Sequence, residues 1–413
     1  MRKTTFVLAV AVVLFSFAAA KRRSANHPGP PTFNKEIARI LQDNCQSCHR
    51  PGDIGPFPLM SYRDAVAVGT QVRLMTQLRK MPPWKPAEGV GDFVGVRRLS
   101  QRDIDTIAQW VEAGMPEGRA EDLPPLREQP SDWVLGQPDL VLAMPKPFTP
   151  PADRDEYRCF SIPVPVNTDL WLSTIDFRPG DRGTVHHIIP YLDALGESTK
   201  LDKDGSGFTC FGGSLVDNAE ALGGWSPGGR PTPLPEGTAI RLPKGARVLM
   251  QVHYHPHFGK VLPDRTEIGL YFTKSEVKKQ LHYDAVFNTK LFIPAGASNF
   301  RVEATATLGT DIEMVSVYPH MHLLGKTIRV DAIRPDGTVE HLIDIPQYEF
   351  QWQGQYIYKN AVKLPRGTKL RVEGIYDNSE NNFQNPNSPP KDVRWGEGSA
   401  DEMCVALFGY TTG

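Results

Sequence analysis

The sequence predicts a multidomain chain: a small all-α unit near the N-terminus, then two antiparallel β-sandwich domains. Three observations predict it. Apolar residues recur at helical spacing between Thr32 and Gly118. From residue 155 to the end, short runs alternate apolar with polar and are cut by Pro-Gly, Asp-Gly and Asn-rich turns, the pattern of antiparallel strands. A chain of 413 residues is also too long for one ordinary core.

The first 20 residues open on Met1-Arg-Lys and continue as an apolar stretch from Phe6 to Ala20, the layout of a secretory signal. The expected location is therefore periplasmic or extracellular, with membrane attachment only if this segment is not cleaved. Residues 21–31 read as a tether. The helical unit spans 32–118, with Ile37, Ile40 and Leu41 on a first helix and a second helix over Tyr62–Lys80. A third starts at Ser100-Gln-Arg-Asp103, a cap with Asp in place of Glu, and carries Ile104, Ile107, Ala108 and Val111 until Gly114 ends it. Residues 119–150 are rich in Pro and acidic groups and read as a linker. Arg247–Tyr254 and Lys369–Tyr376 typify the strands that follow, and the stretch Val277–Phe292 is a natural junction between two sandwiches. A formal charge of -1, from 46 basic and 47 acidic residues, supplies no field for nucleic acid, and none is expected as a partner.

Inside the helical unit stands Cys45-Gln-Ser-Cys48-His49. Two thiols at this spacing form thioethers with a porphyrin while the adjacent imidazole reaches the iron, so one covalently bound haem c is expected. A zinc site would want a second Cys or His pair nearby, and a redox dithiol would want a βαβ setting. Three short helices around such a motif are the plan of a small cytochrome c. For the sixth ligand Met81 is favoured, because Met81-Pro-Pro-Trp84 presents it from an extended loop; Met60, Met75 and Met115 are its rivals. A His/Met pair leaves the iron no open position and makes it an electron carrier. Of five cysteines, Cys159, Cys210 and Cys404 remain. In an exported protein these allow one bridge, for which Cys159 and Cys210 are the expected partners.

The β region carries three histidine clusters: His186-His187, His253-Tyr-His255-Pro-His257 and His320-Met-His322. Residues two apart on a strand share a face, so His320 and His322 can grip one ion. Adjacent His186 and His187 can do so only at a bulge or a strand end. His253, His255 and His257 are equivalent on strand geometry, and imidazole suits zinc as well as copper.

Four stretches, Thr184-Val-His-His-Ile-Ile-Pro-Tyr191, Leu249-Met-Gln-Val-His-Tyr254, Tyr318-Pro-His-Met-His-Leu-Leu-Gly-Lys326 and Asp401-Glu-Met-Cys404, occur in one order. In this the chain from about Gln137 onward resembles the ascorbate-dependent type II copper monooxygenases, as a bacterial-type relative with a cytochrome c in front. Gly224-Trp-Ser-Pro-Gly228 resembles a further loop of that family. The resemblance implies two copper ions: an electron-storing one on His186, His187 and His253, and an oxygen-reactive one on His320, His322 and Met403. A thioether favours Cu(I), the state that meets oxygen. It also implies two jelly-roll-like domains, 151–285 and 286–413, and hydroxylation of a C–H bond of a small organic substrate by O2. The external electron donor is then ascorbate or a periplasmic redox carrier feeding the copper through the haem. Where peptide-amidating members hold a carboxylate, this chain has Tyr318, Val405 and Leu407, which argues against a glycine-extended peptide. The alternatives are a haem and copper electron-transfer protein and a copper-binding module without hydroxylase activity.

Overall fold

The computed structural model describes residues 29–51, 55–127, 133–227, 229–255 and 261–412. The signal stretch, most of the tether, and His257 lie outside them. Among the described residues no helix is long and apolar enough to cross a membrane.

The helices occupy only the first part of the chain. A short π-helical turn, Phe33–Ile37, leads into a helix over Ala38–Asn44. The helix expected over Tyr62–Lys80 is two helices, Tyr62–Ala67 and Gly69–Gln77, because Val68 leaves helical geometry at φ -127°. Ser61 and Asp64 make a full capping box at the first of them. Ser100 caps the helix Gln101–Glu112 as expected: its Oγ accepts from the Asp103 N–H at 3.1 Å. Phe33, Ile37, Leu41, Ile104, Ile107 and Trp110 close a separate small core.

Two sandwiches follow, each with its own core. In the first, one sheet runs Leu140–Ala143, Glu267–Phe272, Leu170–Arg178, Thr238–Leu242, Lys279–Gln280, its last pair parallel. The facing sheet runs Phe208–Thr209, Glu156–Pro163, Arg247–Tyr254, Val185–Asp193, Glu220–Ala221. The second sandwich has His282–Phe287, Val405–Thr411, Ile312–His320 and Tyr356–Leu364 in one sheet. Phe300–Thr307, Lys369–Tyr376, Gly325–Ile333 and Val339–Ile345 form the other. Along Lys369–Tyr376, Leu370, Val372 and Tyr376 are buried while Arg371 and Glu373 are not, the period of two that a one-sided core imposes. The strand Leu140–Ala143 falls within the stretch read as a linker; Leu-Val-Leu-Ala pairs with Leu270–Glu267 and is already part of the first sandwich. His282–Phe287 pairs with the last strand, so the second sandwich begins before residue 286.

Cys159 and Cys210 are bridged, with Cα atoms 5.7 Å apart, and Cys404 is free and buried. The extended segment after Met81 leaves the helical unit and lies on the second sandwich. Phe93 enters that core, Val94 N–H donates to Ile357 O at 2.8 Å, and Ala87 N–H donates to Asp344 O at 2.7 Å.

Candidate metal centre

His186 and His187 lie on Val185–Asp193, whose pairing with Arg247–Tyr254 slips by one residue between Val185 and His187. That bulge lets adjacent histidines serve one point, as the sequence required. His187 pairs with His253, and His187 Nδ1 stands 3.3 Å from both His186 Nδ1 and His253 Nδ1. Burial, then the neighbouring imidazoles, lowers His186 and His187 well below the usual histidine range. Neutral rings keep one lone pair each, and three such nitrogens facing one another lack a shared proton arrangement that satisfies all of them. The side-chain Nε2 atoms of His186 and His253 are buried without a hydrogen-bond partner. This donor set fits a borderline metal ion held through Nδ1.

Of the three histidines left equivalent on strand geometry, His253 joins this cluster. His255 instead bonds Asp155 through Nδ1 at 2.6 Å. Asp155 Oδ2 lies 3.5 Å from His253 Nε2, an electrostatic approach longer than a good hydrogen bond. Asp155, His253 and His255 are a second trio close enough to share an ion; His253, however, turns Nδ1 toward His186 and His187.

The second cluster is built differently from strand alternation alone. The strand Ile312–His320 ends at His320, and His322 belongs to the turn beyond it. Their rings are 5.0 Å apart at 83°. His322 Nδ1 donates to Asp401 O at 3.1 Å, and His320 Nδ1 to Gln353 Oε1 at 2.5 Å, so both rings keep the Nε2 lone pair for a ligand. Burial lowers His320 to about 4 and His322 to about 3. Met403 is buried and lines the same cavity as His320 and His322. Beside it Glu402 accepts from the N–H groups of His322, Leu324 and Met403, at 2.9, 2.6 and 3.2 Å, and burial pushes its carboxyl up to about 8.

His187 and the pair His320 and His322 face one cavity of about 380 Å³ between the sandwiches. Phe350 stands behind it, stacked on His186 with centroids 4.6 Å apart and edge-on to His322 at 5.9 Å. Sequence reading missed Phe350, Gln353 and Asp155, which come from distant segments. Glu402 was within reach, since it sits inside the Asp401–Cys404 motif.

A larger cavity, about 850 Å³, separates the helical unit from the first sandwich. Cys45, Cys48, His49 and Met81 line one side, and His186 and His255 line the other. His49 Nδ1 donates to Phe57 O at 3.0 Å, which leaves Nε2 as the free lone pair. Of the four methionines weighed as a partner to His49, Met75 and Met81 both reach this cavity. Met115 packs in the helical core beside Gly69.

Residues 281–412 match the family model for the copper type II ascorbate-dependent monooxygenase C-terminal domain. The chain is 32% identical over 124 residues to peptidylglycine alpha-amidating monooxygenase of Rattus norvegicus, covering 29% of this chain and 12% of that protein. Its Xenopus laevis counterpart A is 31% identical over 123 residues, again 12% of its length. A longer alignment, 25% over 262 residues, joins 56% of this chain to 40% of human DBH-like monooxygenase protein 1. The chain thus spans about an eighth of the amidating relatives and less than half of the DBH-like one. Among solved structures, PNGF-II aligns over 66% of this chain and 60% of its own with a TM-score of 0.25 and 8% identity, too distant to carry an inference. Over residues 281–412 the chain is thus similar to the C-terminal domain of the copper type II ascorbate-dependent monooxygenases.

Proposed function

We propose that the protein is an exported copper-dependent monooxygenase that hydroxylates a C–H bond of a small organic substrate with O2, and that its own c-type haem relays the electrons. One observation carries this reading: His187 of one cluster and His320, His322 and Met403 of the other open on a single cavity. A substrate there lies within reach of both metal centres. Copper, when bound, supplies the one-electron steps that oxygen chemistry requires.

The chain's own residues do the rest. His186, His187 and His253 present neutral Nδ1 atoms to one point, while His320 and His322 present Nε2 and Met403 its thioether. Gln353 and Asp401 hold the His320 and His322 rings in orientation through Nδ1. His186, His253 and His322 are buried, and His187 and His320 are partly so, which limits the water that reaches the nitrogen donors. In the larger cavity Cys45, Cys48, His49 and Met81 form a donor set suited to haem c, with Phe57 O fixing the His49 tautomer. Because His186 walls that cavity and also belongs to the triad, a haem seated there adjoins the electron-storing centre directly.

Metal and spectral analysis of the intact protein tests this: one haem and two copper ions per chain, with oxygen uptake matched to hydroxylated product, is expected. Product formation with reduced cytochrome and no ascorbate supports the haem relay. Copper near one per chain with no coupled product points instead to an electron-transfer protein, and zinc in both β sites defeats the copper reading.

A further inference from the structure

The cavity between the two clusters has a graded floor. On the sheet of the second sandwich, every second residue faces the cavity, and the strand register stacks them in rows. His320, Val405 and Phe287 form the row at the metal end. Tyr318, Leu407 and Ala285 form the next, and it is apolar apart from the Tyr318 hydroxyl. Ser316, Gly409 and Tyr283 form the far row, which the strand rise puts about 13 Å from the His320 row.

The far row is polar but uncharged. Gln355 Nε2 donates to Tyr283 Oη at 3.1 Å and to Ser316 Oγ at 3.0 Å. Tyr283 therefore retains its own proton to donate, and Gln355 Oε1 makes no hydrogen bond among the described residues. A phenol donor beside an amide acceptor suits a group that both accepts and donates. Two glycines keep this end open: a Cβ on Gly223 would come within 3.2 Å of Tyr283 Oη and Gln355 Oε1, and one on Gly409 within 2.6 Å of Ser316 Oγ. Among the described lining residues there is no Lys, Arg or Asp, and Glu397 is the one carboxylate. It follows Trp395 near the metal end, away from the Gln355 cluster, and it repels an anion.

We infer that the substrate is an uncharged, largely apolar molecule whose far end carries a hydroxyl or amide group bound by Tyr283 and Gln355, while its reacting C–H group lies at the His320 row. This rests on the monooxygenase reading for the reaction, but not for the binding. An ionised carboxylate has no cation to meet at the far end of this cavity, and burying it there unpaired is costly. An ammonium group at the far end meets only neutral dipoles.

Calorimetric titration of the full-length, copper-loaded protein, kept anaerobic, with phenylpropanol, phenylpropionate and phenylpropylamine tests the assignment, since the three share one body and differ in charge. The alcohol is expected to bind at least about tenfold more tightly than either ion, a difference that a single well-placed hydrogen bond supports. Gln355→Leu is expected to weaken the alcohol about tenfold and leave copper content unchanged. Ala285→Phe, which fills the middle row, is expected to weaken all three. Tightest binding by the amine or the carboxylate overturns the inference, as does an alcohol affinity that Gln355→Leu leaves intact in a folded, copper-replete variant. Alcohol binding without oxygen uptake in air supports the pocket assignment while counting against the hydroxylase reading. Turnover confined to the charged probes does the reverse.

Discussion

The Asp155 carboxylate accepts a hydrogen bond from Ser399 Oγ at 2.7 Å, across 244 positions of sequence. Asp155 belongs to the first sandwich, where it also takes His255 Nδ1 and faces His253 Nε2. Ser399 belongs to the segment that leads to Met403. Nearby, Tyr157 donates to Glu397 O at 2.9 Å and stacks on His253, with centroids 4.1 Å apart. The ligand-bearing ends of the two sandwiches are thus tied to each other. Burial alone would raise Asp155, but hydrogen bonds from His255 and Ser399, with the His253 ring close by, hold its carboxyl below the usual range.

Replacing Asp155 with Asn keeps the shape and removes the charge that orients His253. Copper affinity of the His186 cluster is expected to fall roughly 10- to 100-fold, the usual effect of losing a partner behind a ligand. Competition titration with a chelator reads this, and unchanged affinity in Asp155→Asn would show that His253 needs no such support.

His320→Ala and Met403→Ala are each expected to lower copper from two to one per chain, or to weaken the second ion, while the first stays. Elemental analysis after gel filtration decides it. Loss of both ions together would mean that the clusters are not independent sites.

Cys45→Ser and Cys48→Ser are expected to release haem on acid extraction that the parent protein retains covalently. Met75 and Met81 both line the larger cavity, so spin state separates them: on the haem reading, Met81→Ala is expected to give a high-spin ferric haem, and Met75→Ala a low-spin one. The opposite pattern reassigns the axial ligand to Met75.

The Cys159–Cys210 bridge closes a loop of 51 residues. Chain entropy sets its contribution at about 4 kcal/mol, and removing such a bridge commonly costs about 2–5 kcal/mol. Reduction, or the Cys159→Ser/Cys210→Ser pair, is expected to lower the unfolding free energy read from denaturant titration by that amount. A shift under about 1 kcal/mol would place the stabilisation of this corner in its packing instead.

Asp331 is fully buried in the second sandwich. Burial would raise it, yet His341, at 2.6 Å, and Arg371, also at 2.6 Å, more than offset this and hold its carboxyl below the usual aspartate range. A carboxyl lowered in the folded state stabilises the fold above its unfolded pKa, near 3.9, and loses that contribution as pH falls through the lower folded value. Asp331→Asn is therefore expected to destabilise the protein at neutral pH by roughly 1–3 kcal/mol, and the gap should narrow as pH falls below about 3.9. Urea titrations at several pH values measure it; a gap that does not vary with pH would assign the loss to packing.

The sequence made the β character legible because a period of two over short runs, cut by turn residues, admits little else. It located Cys159 with Cys210 because few cysteines were left to choose from. It required a bulge or a strand end at His186 and His187, and the register slip supplies the bulge. The rest depended on closure of distant segments. Nothing local marks Phe350 as the ring between His186 and His322, and Asp155 meets Ser399 only when the sandwiches are assembled. His322 illustrates a subtler limit: the spacing from His320 looked like strand alternation, but the strand stops first and the turn aims the second ring. Val68 likewise interrupts a helix whose apolar pattern continues through it.

The segment after Met81 ties the helical unit to the second sandwich. Asp92 O receives the Lys359 N–H at 2.8 Å, and Phe93 is rooted among Tyr356 and Tyr358, so the segment behaves as an added edge strand. A carrier that swings between donor and acceptor needs slack, and these bonds oppose it. On the relay reading, an electron passing from the helical unit to the histidines crosses a gap that these bonds hold, so its rate is expected to be insensitive to solvent viscosity, with docking of an outside reductant as the variable step.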